Sequence, residues 1–594
     1  MHHDRLAVSY WHNPPRGLLM NYSLASFSAL LLSTSITFAQ APDLILHNAK
    51  IVTVDEKFTI VQAMAIKDGK ILKTGSNEEV LKTKGANTVV KDVAGKTVLP
   101  GLIDSHVHPA GAAMHEFDHP IPAFETIQDV LDYIKARAKV LPKGEWIVLR
   151  QVFITRLKEQ RYPTKAEMDA AAPLHPVLYS TGPDASLNSL ALKLSKIDKD
   201  FKVNDGGAGQ VEKDVKTGEP TGILRNCTRF VKTSQPSQRQ PTEADNIERL
   251  HLLLKDYNSV GLTGIIDRGA GTSSLERFKK LKDADKLTVR LAASYSMGTG
   301  SPLETLEKDI AKLATHPMRA PDNMIRIIGI KIFLDGGMLT GSAYMQKPWG
   351  LSKIYSIDDP TYRGLLFLSR DKLLGMAHAT VKNGMQFTAH TVGDGAVETL
   401  VGVYEEINRT TPVRSTRPCI THSNFMFKDA VEKMPKIGIV ADIQPAWLYL
   451  DSHTLVSQFG VERLEYFQPL QSIFKAGGIV GGGSDHMQRI DSMNSVNPYN
   501  PFLGMSVAIN RKGKYYPQKL RPEQALTREQ AIRFYTMNNA HLMFLEKETG
   551  SLEVGKQGDF IVLDRDILTC DEDAIAQTKC LATYLSGKQV HGVK

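Results

Sequence analysis

Eight compact apolar runs, separated by stretches of helical periodicity, most constrain what this chain can fold into. They end near Asp104, Asp267, Ser294, Leu334, His390, His422, Gln444 and Asp485. Apolar runs alternating with helices make a parallel sheet covered by helices, and eight such units are what a (β/α)8 TIM-type barrel needs. The long gap between the first two runs, about residues 110–258, reads as an insertion after barrel strand one. It holds an apolar run of its own, Pro176-Val-Leu-Tyr-Ser180, and a helical stretch from Thr126 to Ala138.

The two ends of the chain carry a different pattern. Asp43–Val54 and Ala63–Gly75 are short β-type runs, the second broken at Asp68-Gly69, a hairpin signal. Gly550–Asp564 and Ala582–Val590 resemble them. The expected α/β architecture is therefore a barrel over 98–540 with a small β-sandwich domain built from residues 40–97 and 541–594.

Ahead of these lies Met20–Ala39, a short apolar run ending in small residues. It reads as a secretory signal peptide cleaved after Ala39, which implies an exported, periplasmic or secreted protein with no membrane insertion after cleavage; a buried N-terminal helix is the alternative. A start at Met20 would make residues 1–19 an upstream artefact. The net charge of +8 is spread over 72 basic and 64 acidic residues. No dense Lys/Arg block tracks along the chain, which argues against a nucleic-acid partner. A small-molecule substrate is expected, and a homo-oligomer is compatible with everything so far. Four cysteines lack Cys-x-x-Cys spacing; Cys570 and Cys580 could pair in an exported protein, or remain thiols.

The chemistry-bearing residues sit where the apolar runs end. In Pro100-Gly-Leu-Ile-Asp-Ser-His-Val-His108, alternation along a strand puts His106 and His108 on one side, where both can reach one metal. Lys331 lies inside Ile325-Arg-Ile-Ile-Gly-Ile-Lys-Ile-Phe333, where an unpaired ammonium is costly to bury. A salt bridge to Asp335 or Asp394, or snorkelling to water, would relieve it. So would carboxylation by CO2, which turns the cation into an anion able to bridge two metal ions. His390, His422 and Asp485 each close a later run. Singly, such residues are usually core histidines or a helix cap. Jointly they put ligand-type side chains on strands one, four, five, six and eight, at the end of a barrel where active sites are built.

These segments resemble the amidohydrolase superfamily, and most closely its YtcJ-like or amidohydrolase family 3 branch. The likeness covers nearly the whole chain after Ala39. It rests on Pro100–His108, Val260–Asp267, Lys331–Gly336, His390–Ala396, Gly483-Ser-Asp485, Asn539-Ala-His-Leu542 and Gly550–Leu563. The resemblance implies a binuclear centre of two divalent metal ions, with zinc best suited to the ligands. His106 and His108 would hold one metal with Asp485, His390 and His422 the other, and N6-carboxylated Lys331 would bridge them. Such a centre supplies hydroxide near neutral pH and polarises a carbonyl; Asp485 would take the proton and return it to the leaving amine.

The implied reaction is hydrolysis of a non-peptide C–N bond in an amide, formamide, carbamate or cyclic amide. An ester or lactone hydrolase, a deaminase, and a non-catalytic metal-binding protein on the same barrel are the alternatives. The chain departs from the branch at Gly182-Pro-Asp184, where Gly-His is common, at Thr421, where Glu is common, and at Asn226, where an acid is common. The metal set is kept while the pocket walls differ. Gly337–Trp349, His486 and Asn497–Phe502, with the insertion, are expected to form a pocket lid; their aromatic side chains fit a partly apolar ligand or ordinary loop packing equally.

Overall fold

The computed structural model describes residues 41–592, so the expected signal peptide lies outside the described residues. Each of the eight expected runs becomes a barrel strand: β1 (Leu102–Val107), β2 (Leu262–Ala270), β3 (Arg290–Ser296), β4 (Ile325–Phe333), β5 (Gln386–Thr391), β6 (Cys419–His422), β7 (Val440–Ile443) and β8 (Ile479–Gly482). They lie in sequential order in one eight-stranded sheet, every neighbouring pair parallel. The seam between β8 and β1 is closed just past the end of β8. There Asp485 N donates to His106 O at 2.8 Å, and His108 N donates to His486 O at 2.8 Å.

Strands of this kind are buried on both faces, which is why they read as continuous apolar runs; every residue of β1 is buried. Helices cover the outside. The helix Asp394–Asn408 buries Leu400, Val403, Tyr404 and Ile407, and Tyr404 Oη reaches the carbonyls of Phe387 on β5 (2.9 Å) and Cys419 on β6 (3.0 Å). Leu542, Met543 and Leu545, at and beyond the end of the helix Met537–Leu542, pack with Ile103, Ile266, Ala292, Ile328 and Val440 inside the barrel. That end is filled with apolar side chains.

Strands from both termini form a four-stranded sheet and a six-stranded sheet. Leu44, Leu46, Met64 and Ile66 of the first share a core with Ile51, Val98, Phe560 and Val562 of the second. The strand Thr97–Pro100 belongs to this sandwich and runs into β1 through Gly101. A Cβ there would stand 2.1 Å from Thr263 Oγ1 on β2, so only glycine lets the chain cross so close to the barrel. Arg290 of β3 and Asp559 of the sandwich form a buried ion pair, Nε to Oδ2 2.6 Å. All four cysteines are free thiols.

Within the insertion, five strands form a separate sheet, and Thr126 caps the helix Ile127–Val140 in a capping box with Asp129. The last part of the 110–258 span is not inserted structure. It is the helix Glu243–Ser259, capped by Thr242, and its Leu250, Leu253, Leu254 and Tyr257 join the barrel core beside Leu262 and Ile265 of β2. The loop after β4 docks on the insertion: Met338, Leu339, Met345 and Trp349 share one core with Ile147, Leu149, Val177 and Tyr179.

Candidate active site

Two backbone devices bring the first three side chains together. Alternation along β1 turns His106 and His108 to the same side, and the β8–β1 seam carries Asp485 to them. His106 Nε2 lies 3.3 Å from His108 Nε2 and 3.4 Å from Asp485 Oδ1, and His108 Nε2 lies 3.2 Å from that oxygen. Asp485 holds a left-handed backbone, φ +57°, which costs energy in a residue with a side chain. Asn497 secures it, donating to its carbonyl at 2.7 Å and to Oδ2 at 3.4 Å. Arg156 of the insertion in turn donates to Asn497 Oδ1 at 3.2 Å and is paired with Asp451, Nη2 to Oδ2 3.1 Å. On the far side of His108, a Cβ at Gly269 would stand 2.7 Å from Nδ1.

Burial holds His106 well below its ordinary pKa, with Lys331 adding repulsion, and burial raises that of Asp485. Two imidazoles and a carboxylate turned on one another, with ligand atoms all within 4.8 Å, are the donor set a divalent cation takes. The residues fit a metal.

The other three expected residues stand on β4, β5 and β6. Lys331 is buried, and among the described residues neither an ion pair nor a hydrogen bond reaches its Nζ; the Phe333 ring lies 5.6 Å away. Neither expected salt-bridge partner is free. Asp335 accepts from the backbone N–H of Tyr344, Val392 and Gly393 at 2.9–3.0 Å, and Asp394 accepts from Gln346 N at 2.7 Å. Burial brings the Lys331 ammonium down to about 8.

His390 Nε2 lies 3.4 Å from the Gly336 carbonyl, so that nitrogen carries the hydrogen and Nδ1 is left as the lone pair. Burial lowers its pKa to about 3. His422, at φ +71°, stacks on Trp447 with ring centroids 4.7 Å apart and has Nδ1 2.7 Å from Gln444 Oε1. Its ring is 4.5 Å from that of His390 and 4.8 Å from that of His106. The imidazoles therefore form one continuous cluster across the barrel mouth.

Several residues lie outside what sequence reasoning found. Asp442 and Gln444 of β7 and its edge contact His106 and His422, and Arg268 of β2 pairs with Asp442. The signal was present: Asp442-Ile-Gln444 is the same alternating pattern as His106-Val-His108, with a charge in an apolar strand. Conversely, His486 is not a pocket wall. Its Nδ1 meets Tyr257 Oη at 2.8 Å and its Nε2 meets the Gln488 carbonyl at 2.8 Å. Trp349 Nε1 donates to Ala343 O at 2.8 Å and its ring is buried, so the loop after β4 is packing.

The departures from the branch are likewise built in. Asp184 accepts from Asn226 N (2.8 Å) and Ser342 Oγ (2.6 Å), and Thr421 Oγ1 bonds Thr388 Oγ1 (2.7 Å). Two cavities that share Gly182 and Thr228 flank the mouth, one reaching Gly111, Met114 and Met487, the other Thr299, Phe333 and Phe367. Phe333, 45% exposed, stands 5.0 Å from the His390 ring and offers that mouth an apolar face.

Known proteins resemble this chain over most of its length. An N-substituted formamide deformylase from Arthrobacter pascens is 28% identical over 92% of this chain and 98% of its own length. The putative amidohydrolase YtcJ of Bacillus subtilis is 24% identical over 92% and 98%. Among solved structures, an uncharacterised metal-dependent hydrolase from Pyrococcus horikoshii shares the fold, with TM-score 0.62 and 21% identity over 89% of this chain and 99% of that one. The family model described as the amidohydrolase family, in its family 3 form, matches residues 89–591, and the chain belongs to that family.

Proposed function

We propose that this protein is a metal-dependent hydrolase that cleaves a non-peptide C–N bond of an amide, formamide or cyclic amide. The observation that carries the reading is the convergence of His106 Nε2, His108 Nε2 and Asp485 Oδ1 within hydrogen-bond distance of one another. His390, His422 and Lys331 supply the second half of a binuclear centre. The chemistry that divalent ions bound there would supply, zinc by ligand type, is hydroxide near neutral pH and a polarised carbonyl oxygen. The formamide deformylase relative supports the same bond class.

Asp485 has one oxygen facing the two histidines and the other within reach of Asn497. It is placed to accept a proton from the attacking water and to deliver it to the leaving nitrogen, base and then acid. Lys331 is the one side chain of the set whose charge opposes a metal. Its buried amine, lacking any carboxylate partner among the described residues, is suited to attack CO2 and lose a proton, giving an anionic carbamate. The exposed ring of Phe333 beside His390 favours a substrate with an apolar substituent. The run Met20–Ala39 supports export, and N-terminal sequencing of the mature protein tests cleavage after Ala39.

The test is elemental analysis of the purified protein together with turnover on a panel of N-formyl, N-acyl and cyclic amides. About two metals per chain and turnover of at least one class is the expected result. Full metal loading with no turnover across the panel would favour a binding protein instead.

A further inference from the structure

β7 contributes none of the six ligand-type residues, yet its Asp442 is, among the described residues, the carboxylate that touches both histidine groups, His106 directly and His422 through its backbone N–H and Gln444. We propose that Asp442 fixes the tautomers of His106 and His422, the first directly and the second through Gln444, so that one side chain sets the metal-facing nitrogen in each half. The metal-facing role of these nitrogens rests on the reading above; their tautomers follow from hydrogen bonding alone.

Arg268, wholly buried inside the barrel, starts the chain of constraint. Its Nε donates to Asp442 Oδ2 at 2.8 Å, while Nη1 is held by Ser294 Oγ at 3.0 Å and Gln386 Oε1 at 2.7 Å. With Oδ2 pinned, Oδ1 points at His106 Nδ1, 3.3 Å away, and at Gln444 Nε2, 3.2 Å away.

An ionised carboxylate can only accept, so His106 must carry its hydrogen on Nδ1. Nε2 is then the lone pair, and Nε2 is the atom that faces His108 and Asp485. The same rule orients the Gln444 amide. Its NH2 must face Asp442, so its oxygen faces His422 Nδ1 at 2.7 Å. Oε1 also only accepts, so His422 carries its hydrogen on Nδ1 and presents Nε2. Amide and ring orientations are normally ambiguous; here a single acceptor, fixed by a buried guanidinium, leaves one consistent assignment. Partners of this sort orient ligands and tune affinity, and losing them typically costs 10–100-fold.

The test reads tautomers directly, in metal-free protein labelled with 15N at histidine, with His106→Gln and His422→Gln variants assigning the signals. The expected result is Nδ1-protonated, Nε2-unprotonated rings at both positions. Gln444→Leu should turn His422 into a tautomer mixture while leaving His106 unchanged. Asp442→Asn, which leaves one acceptor oxygen where two are used, should disturb both rings and weaken Zn2+ binding about 10–100-fold by chelator competition. Should Asp442→Asn fail to fold, Gln444→Leu still decides. An Nε2-protonated His106 or His422 in the parent protein, or a His422 indifferent to Gln444→Leu, would overturn the proposal. Because the tautomers are read without metal, a protein that bound none would refute the metal-centre reading and leave this one standing.

Discussion

The two halves of the centre are assembled by different means. His106, His108 and Asp485 are brought together by backbone: alternation along β1 and the hydrogen-bonded seam where β8 meets β1. Their ligand atoms are already within 4.8 Å of one another. Lys331, His390 and His422 come one each from three successive strands paired in parallel, with the rings of the two histidines 4.5 Å apart and Lys331 buried on the neighbouring strand. The first set offers a divalent cation its ligand atoms directly. On the proposed reading the second set would carry the wrong charge for a cation unless Lys331 became an anion, so the two should respond differently to substitution.

The largest expected effect follows from removing the proposed lysine bridge. Lys331→Ala should lower turnover by roughly 1,000-fold or more and bring bound metal toward one per chain, the first half staying loaded; short carboxylates should restore part of the activity. Next is Asp485→Asn, which keeps an oxygen for the metal and loses the proton carrier. Its kcat should fall about 100- to 10,000-fold with metal content largely kept, and normal turnover would remove Asp485 from the proton transfer.

Gly269→Ala sharpens the contrast from the packing side. Its methyl would press on His108 Nδ1 at 2.7 Å, so metal affinity at the first half should weaken by about tenfold while the second is unaffected. Competition titration with a chelator reads this as one weakened step of two. Smallest is Asn497→Ala, which frees the strained Asp485 backbone and costs about 1 kcal/mol of positioning, seen as a several-fold drop in kcat with KM unchanged.

The ligand-type residues and their supports are not equally legible in the sequence. The eight strands show because residues buried on both faces leave continuous apolar runs; five of the ligand-type residues show because they stand at or just past the end of such a run, and Lys331 because it puts a charge inside one. Asp442 and Gln444 lie in the same kind of run. Their meaning depends on what stands across the barrel, Arg268 on β2 and His106 on β1, and no local pattern reports that.

Packing outside the barrel was hidden for a similar reason. The helix Glu243–Ser259 has an apolar face in Leu250, Leu253, Leu254 and Tyr257, but a face does not name the surface it will cover. It covers the barrel rather than the insertion. In the sequence Trp349 and His486 fit a pocket lid, and their segments fit ordinary packing as well, because aromatic and imidazole groups in loops serve ligands and cores alike. The structure spends both on internal hydrogen bonds.

The most direct measurement is metal stoichiometry, taken side by side for the parent protein and Lys331→Ala by elemental analysis after gel filtration. A parent value near two that falls toward one in the variant, with activity lost, is the expected result. A Lys331→Ala protein that kept both metals and full turnover would contradict a centre bridged by that lysine.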